Sequence, residues 1–384
     1  MPESLRPDAS HVSDYVADRG PAKYFHGRER ILSNFNKLVK ESVEAQGGST
    51  FLIQGAPGAG KTALLDQCEK HAKACEWDVT NIGVGALWDP NNLLASLGLG
   101  EKYKGTERST QIGFKNFLGW GFKSTRPQST VKDILNNGNT PLLLILDEAQ
   151  ALGDEKVPPD NHRSTAIEVL EAIHNGKLER PVILLAAGLG TTKTAFGSLR
   201  ISRFKGGCFV ELGALGKEAE RAVLQDWLIK EGGAKGNPTA WIDAIAQKTH
   251  GWPQHITAYA DAAAKQIRKD NGDMTSTGME AVYRLGMERR DAYYKQRVNG
   301  ISRKERFSLA RLVKNVPIRD GLDKEDIEAT LSQEYGPDKA QDLFNRVLER
   351  GVLHSQDGVY TIPIPSMHNW LVSNYVPAQK PEFG

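Results

Sequence analysis

Cysteine is scarce in this chain, with three in 384 residues. Cys68, Cys75 and Cys208 form neither a C-x-x-C pair nor a metal-binding quartet. Cys68 and Cys75 fall on one expected helix about two turns apart, too distant to bridge. That excludes a disulfide-stapled scaffold and points to a reducing cytoplasm. Long apolar runs are missing as well. None approaches the roughly 20 residues of a membrane span, so no membrane partner is expected. The opening MPESLRPDASHVSDY lacks the basic start and apolar stretch of a secretory signal. Net charge is only +2 and by itself singles out no class of partner. The apolar fraction of 39% and charged fraction of 25% are those of a soluble globular protein. A chain of 384 residues exceeds one ordinary core, so two or three domains are expected.

What the sequence does contain is concentrated. FLIQGAPGAGKTALLDQCEK reads as an apolar strand, a glycine-rich turn and an amphipathic helix over 61–75. Within it, Gly55 to Thr62 fit G-x-x-x-x-G-K-[ST]. Gly55, Gly58 and Gly60 permit turns that a side chain would block, so successive amides can face phosphate oxygens. The backbone of Gly55, Ala56, Pro57, Gly58, Ala59, Gly60, Lys61, Thr62 and Ala63 is therefore the expected cradle for ATP, at the N-terminus of a helix that favours an anion. Lys61 reaches the β- and γ-phosphates in this reading, and the Thr62 hydroxyl sits on Mg²⁺.

PLLLILDEAQ, 141–150, suits a strand buried on both faces and ends in two acids. An acid at the C-terminal end of a parallel strand lies at the rim where such sheets bind ligands. Asp147 is expected to hold Mg²⁺ through a water, and Glu148 to polarise the attacking water. Further strands are expected at 77–85, 181–188 and 208–212, separated by helical patterns such as 164–176. Strands alternating with helices imply a parallel sheet covered on both faces.

GAPGAGKT and LLLILDEAQ, with YFHGRERIL upstream and GWP downstream, resemble the origin-recognition-like and STAND branches of the AAA+ ATPases. The resemblance spans about 22–270. It implies an F-x-G-R-E box, here Phe25, Gly27, Arg28 and Glu29, and a lid whose G-x-P turn, here Gly251, Trp252 and Pro253, packs by the adenine. Pro253 would open the lid helix, where a proline lacks no partner. Gly251 would let backbone approach the base, and Trp252 is expected to pack. The polar sensor of the family is vacant here or falls to Thr191 or Thr192. The lid turn carries Gln254 and His255 in place of an arginine. Arg203 best matches the arginine that such proteins point at a neighbour's γ-phosphate, which implies an ATP-dependent homo-oligomer or a protein partner. The family implies an α/β fold: an AAA+-like P-loop sheet, a helical lid and a C-terminal winged helix. The expected divisions are a tail over 1–21, the ATPase core over 22–214, the lid over 215–298, and the winged helix with its tail over 299–384.

Three amphipathic helices over 301–316, 323–336 and 338–353 precede a hairpin signal turning at Asp357-Gly358. Helices and a wing in that order make a winged helix, which often lays its third helix in the major groove. Lys339, Arg346 and Arg350 on that helix are balanced by Asp338, Asp342 and Glu349, so it is a poor reader of phosphate. From Asp261 to Asp320, however, 14 Lys and Arg stand against 8 Asp and Glu. Arg289, Arg290, Arg303 and Lys304 are the expected contacts to double-stranded DNA, unless this segment is a solvated face. FKNFLGWGFKSTR, 114–126, interleaves aromatic and basic residues that either stack bases or pack inward as an inserted hairpin. The expected function is a cytoplasmic, slow, switch-like ATPase, stimulated by a partner or by DNA, acting on DNA or a DNA-associated complex. The alternative is a signalling or defence switch that relays to a protein partner without binding DNA.

Overall fold

A computed structural model of the chain describes residues 22–99, 131–153, 160–175, 178–314, 316, 321–356 and 358–376. The tail 1–21, the aromatic segment 114–126 and the turn residue Asp357 lie outside them. In chain order the elements are α1 (Glu29–Ala45), β1 (Gly48–Gly55), α2 (Lys61–Ala74), β2 (Asp78–Ile82), α3 (Val84–Trp88), α4 (Pro90–Ser96), α5 (Val131–Leu135) and β3 (Leu142–Leu146). Next come α6 (Asp160–His174), β4 (Val182–Gly188), α7 (Thr192–Ser198), β5 (Phe209–Leu212) and α8 (Lys217–Asp226). A π-helical turn (Trp227–Glu231), α9 (Thr239–Thr249), α10 (Pro253–Lys269), α11 (Ser276–Arg297) and α12 (Arg303–Lys314) follow. The chain closes with β6 (Leu322–Asp323), α13 (Lys324–Tyr335), α14 (Pro337–Glu349), β7 (His354–Gln356), β8 (Val359–Thr361) and α15 (Pro365–Tyr375).

Two compact units result. One takes Arg30–Gln54 and Leu64–Glu211 and is built on a sheet of order β2-β3-β4-β1-β5. β1 and β3 each run parallel to β4, with Gln54 opposite Gly188 and Leu146 opposite Ala186, and β2 runs parallel to β3. The interior strands LLLIL and VILLAAG are buried at every position, as unbroken apolar runs demand in a parallel sheet. β2, at the sheet edge, keeps only Ile82 buried. Leu52, Leu144 and Leu184 join Leu170 and Phe196 in the core of this unit.

The other unit takes the segment up to Glu29, the loop Gly55–Ala63 and everything from Leu212. α8 to α11 pack around Leu224, Ile245, Ile256 and Tyr259. The alanine-rich α10 lies close against α11, because a Cβ at Gly286 would fall 2.4 Å from the Tyr259 ring. Beyond them, α14 buries Ala340, Leu343, Phe344 and Val347, an i, i+3, i+4, i+7 stripe. β6, β8 and β7 form a three-stranded antiparallel sheet in that order. Gln356 pairs with Val359, and Gly358 takes φ +90°.

Two basic residues expected on the surface are otherwise engaged. Arg289 is 5% exposed; its guanidinium is ion-paired with Asp261 Oδ2 at 2.8 Å and donates to the Ala258 carbonyl at 3.0 Å. Arg346 is held by Glu305 at 2.6 Å and Asp342 at 2.8 Å.

Candidate functional site

The phosphate loop leaves β1 and enters α2. Gly58 and Gly60 take φ of +78° and +93°, a region that side chains resist. Gly55 is required for a different reason: a Cβ there would meet the Leu212 carbonyl oxygen at 2.9 Å. Ala59 N donates to the Ala56 carbonyl across the loop. Lys61 is buried and folds back, its Nζ donating to the carbonyls of Gly55 at 2.8 Å and Ala56 at 3.2 Å. Thr62, in the first turn of α2, is exposed. A turn of amides, a helix N-terminus and an ammonium group at one place make an anion cradle.

The upstream box meets this loop within the same unit. Gly27 takes φ +84°, and a Cβ there would collide with Ala219 Cβ at 2.3 Å. Its N–H donates to Glu29 Oε1 at 2.8 Å, and that bond holds the Glu29 carboxyl below the usual carboxylate range. Arg28 donates to the Gly213 carbonyl at 2.5 Å and to the Ala59 carbonyl at 3.5 Å, and burial lowers its pKa. Phe25, His26, Arg28, Ala59, Gly60 and Ala63 line one pocket together with Pro253, Ile256 and Thr257. Tyr24 lines it too, its phenol pushed up to about 12 by burial and by the Glu231 carboxylate it bonds at 2.7 Å.

The turn between α9 and α10 is built by a residue that the sequence pattern did not mark. The buried Glu220 carboxylate accepts from the Thr249 hydroxyl and from Gly251 N at 2.9 Å. His250 and Gly251 take φ of +49° and +73°, and Pro253 then opens α10 at N1. The missing side chain of Gly251 leaves room for the Leu215 carbonyl, 2.4 Å from where a Cβ would stand, rather than for a ligand. Pro253 lies 3.9 Å from the Cβ position of Gly60. Trp252 is fully buried, as packing requires. His255 is buried, neither ring nitrogen is hydrogen-bonded among the described residues, and burial, aided by Arg290, lowers its pKa to about 3.

In the sheet unit, Asp147 and Glu148 follow β3. Glu148 is exposed and sits at φ +55°, its N–H bonded to Asp147 Oδ1 at 2.9 Å. Gln150 Nε2 donates to Glu148 Oε2 at 2.7 Å, while its Oε1 accepts from Leu189 N just past β4. Gln54, at the end of β1, likewise accepts from Lys193 N at 3.0 Å. These two amides tie the C-terminal rim of β1, β3 and β4. A buried Gln inside the apolar run FLIQG was the available signal, because a buried amide demands a partner. Thr192 is buried with its hydroxyl on the Leu189 carbonyl, and Thr191 is half-buried. Arg203 is exposed on the segment before β5.

No protein-family model and no curated protein matches the chain. Solved structures do. A Walker-type ATPase of Pyrococcus abyssi superposes with a TM-score of 0.55 at 14% identity, covering 92% of this chain and 99% of its own. The ORC2 protein of Aeropyrum pernix, solved as ADPNP–ADP complexes, gives 0.54 at 13% identity over 94% of this chain and 95% of its own. Its ADP form gives 0.53 at 15% identity. The chain therefore has the α/β fold shared by origin-recognition-type Walker ATPases.

Proposed function

We propose that this chain is an ATP-binding and ATP-hydrolysing switch of the AAA+ kind. The observation that carries the reading is the phosphate loop. It has two positive-φ glycines and a buried lysine, and its Ala59 and Gly60 line a pocket walled by Phe25, Arg28 and Pro253. Loop amides and Lys61 would hold the phosphates, and the apolar wall would take the base.

Thr62 is proposed to hold Mg²⁺ directly, and Asp147 to hold it through a water. A hydroxyl and a carboxylate are hard oxygen donors, and Mg²⁺ needs only one or two from protein when phosphates and waters complete its shell. When bound, the ion would offset charge on the phosphate oxygens. Glu148 is the proposed base that orients and polarises the attacking water, and Gln150 fixes its carboxylate. β1 and β3 flank β4 in parallel, so their C-terminal ends share one rim about 10 Å apart.

The proposed divisions remain an ATPase core over 22–214, a lid over 215–298 and a winged helix over 299–384. DNA or a DNA-associated complex is the proposed target, reached through the basic segment before the winged helix. The relay to a protein partner without DNA gains support from Arg289 and Arg346, whose charges are committed to Asp261, Glu305 and Asp342. Arg203, exposed, is proposed to act on a neighbouring protomer. Calorimetry with ATP and ADP, followed by hydrolysis assays with and without duplex DNA, tests the reading. ATP affinity unchanged in Lys61→Ala would overturn it.

A further inference from the structure

We propose that Tyr293 is a positioning residue of the phosphate loop: by holding the Pro57 carbonyl, it turns the Gly58 amide toward the phosphates of a bound nucleotide. The inference rests on the nucleotide-binding reading above and adds a residue from α11 to it.

Tyr293 lies 236 residues after Pro57, yet its hydroxyl donates to the Pro57 carbonyl oxygen at 2.7 Å. The peptide between Pro57 and Gly58 is trans. In a trans peptide the carbonyl and the N–H point in opposite directions. With its oxygen fixed on Tyr293, the Gly58 N–H must face away from α11. Pro57 contributes no N–H of its own. Gly58 is thus the first amide of the loop's apex that can reach an anion, and its direction is set from behind by one phenol.

The surroundings keep that phenol in place. Tyr293 is buried, and a Cβ on Gly58 would fall 3.0 Å from both the Tyr293 oxygen and Trp252 Nε1. The apex thus rests directly on two polar ring atoms. Arg297 stacks over the Tyr293 ring at 5.2 Å, and His255 meets it edge-on at 6.1 Å. The next peptide is fixed as well, because Gln254 N donates to the Gly58 carbonyl at 3.2 Å. Burial pushes the Tyr293 hydroxyl up to about 12, so it stays a donor throughout the working range of pH.

The neighbouring side chain supplies a control. Tyr294 is also buried, but its hydroxyl meets Ser366 Oγ of α15 at 2.7 Å and makes no bond to the loop. Tyr293→Phe and Tyr294→Phe remove the same atom from adjacent positions of one helix. A purely structural loss would follow either.

The test measures ATP and adenosine affinities of the full chain by calorimetry for wild type, Tyr293→Phe, Tyr294→Phe and Lys61→Ala. Tyr293→Phe strands a buried carbonyl and frees the apex, so ATP should bind about five- to tenfold more weakly. Adenosine, which carries no phosphate, should bind as in wild type. Tyr294→Phe should leave the ratio of the two affinities unchanged. Should Tyr293→Phe not fold, p-fluorophenylalanine at 293 fills the hydroxyl's space without its proton and repeats the test. Wild-type ATP affinity in the Tyr293 variant, an equal loss for adenosine, or the same ATP loss in Tyr294→Phe would overturn the assignment. Lys61→Ala separates the two levels. If it binds ATP normally, the nucleotide reading falls; if only it weakens ATP, the role of Tyr293 falls alone.

Discussion

In the proposed ATPase, single side chains would carry different steps, so their removal should separate binding from turnover. Lys61→Ala takes a charge-assisted contact from the phosphates, and ATP affinity should drop by about tenfold or more. Glu148→Gln keeps the shape and loses the polarising carboxylate. It should bind ATP normally and hydrolyse it at least about tenfold more slowly in a single turnover. A third expectation concerns acid. His255 is buried neutral with a pKa near 3, below the value near 6.5 of an unfolded histidine. Above about pH 6.5 both states are neutral there and the group is silent. As pH falls below that value only the unfolded chain takes the proton, so stability should decline toward pH 3. Unfolding followed at pH 7 and pH 5, with His255→Phe as the comparison, measures it; the variant should lose less over that interval. The glycine turn after β1 and the acid pair after β3 were legible as local patterns because their spacing is short. Glu220, Tyr293 and the bond from Leu189 N to Gln150 were not, because the groups joined lie in separate elements and no short pattern links them.

Elements came through with shifted edges, and the shifts have local causes. The strand expected over 77–85 stops at Ile82, because Gly83 is the N-cap of α3 and the chain turns helical at Val84. The third helix of the C-terminal module was expected to reach 353 but stops at Glu349. Gly351 takes φ +63° and Val352 N turns back to the Val347 carbonyl, a left-handed stop that glycine favours. Long apolar runs, by contrast, marked β1, β3 and β4 directly. The turn between α9 and α10 is the element most exposed to a single change. Gly251→Ala would set a methyl group 2.4 Å from the Leu215 carbonyl at a positive φ. A loss of about 2–4 kcal/mol is expected from strain and displacement together, read as a lower midpoint in thermal or urea unfolding. Because Pro253 follows two residues on, ATP affinity should fall as well. A variant with wild-type stability would show that the turn relaxes freely.

At the scale of the molecule, the distribution of charge decides the DNA experiment. Charge reversal at Arg289 would break a buried pair and unfold the chain, so it tests nothing about DNA. Lys295, Arg303, Lys304 and Arg311 are exposed and are the better set. Their replacement by Glu should abolish duplex binding, and wild-type affinity should fall with a log–log salt slope of about −3 to −4 if all four engage phosphate. Arg346→Ala should matter less for binding. Fluorescence anisotropy with ATP present reads both, and absence of binding at low salt in every nucleotide state would favour the protein partner. Arg203→Ala should spare ATP binding and reduce turnover only where the wild type self-associates. Ultracentrifugation with ATP checks the premise.

The unit that owns the phosphate loop draws its residues from three separate stretches of chain. During synthesis the loop leaves the ribosome early, but Gln254 and Tyr293, which fix its apex, are far from made. At the usual pace of about 5–20 residues per second, the 236 residues from Pro57 to Tyr293 take roughly 10–50 s. Nascent chains stalled before residue 293 emerges should not be retained on immobilised ATP, whereas completed chains should. The nucleotide would then serve as a late ligand, captured only by a finished protein.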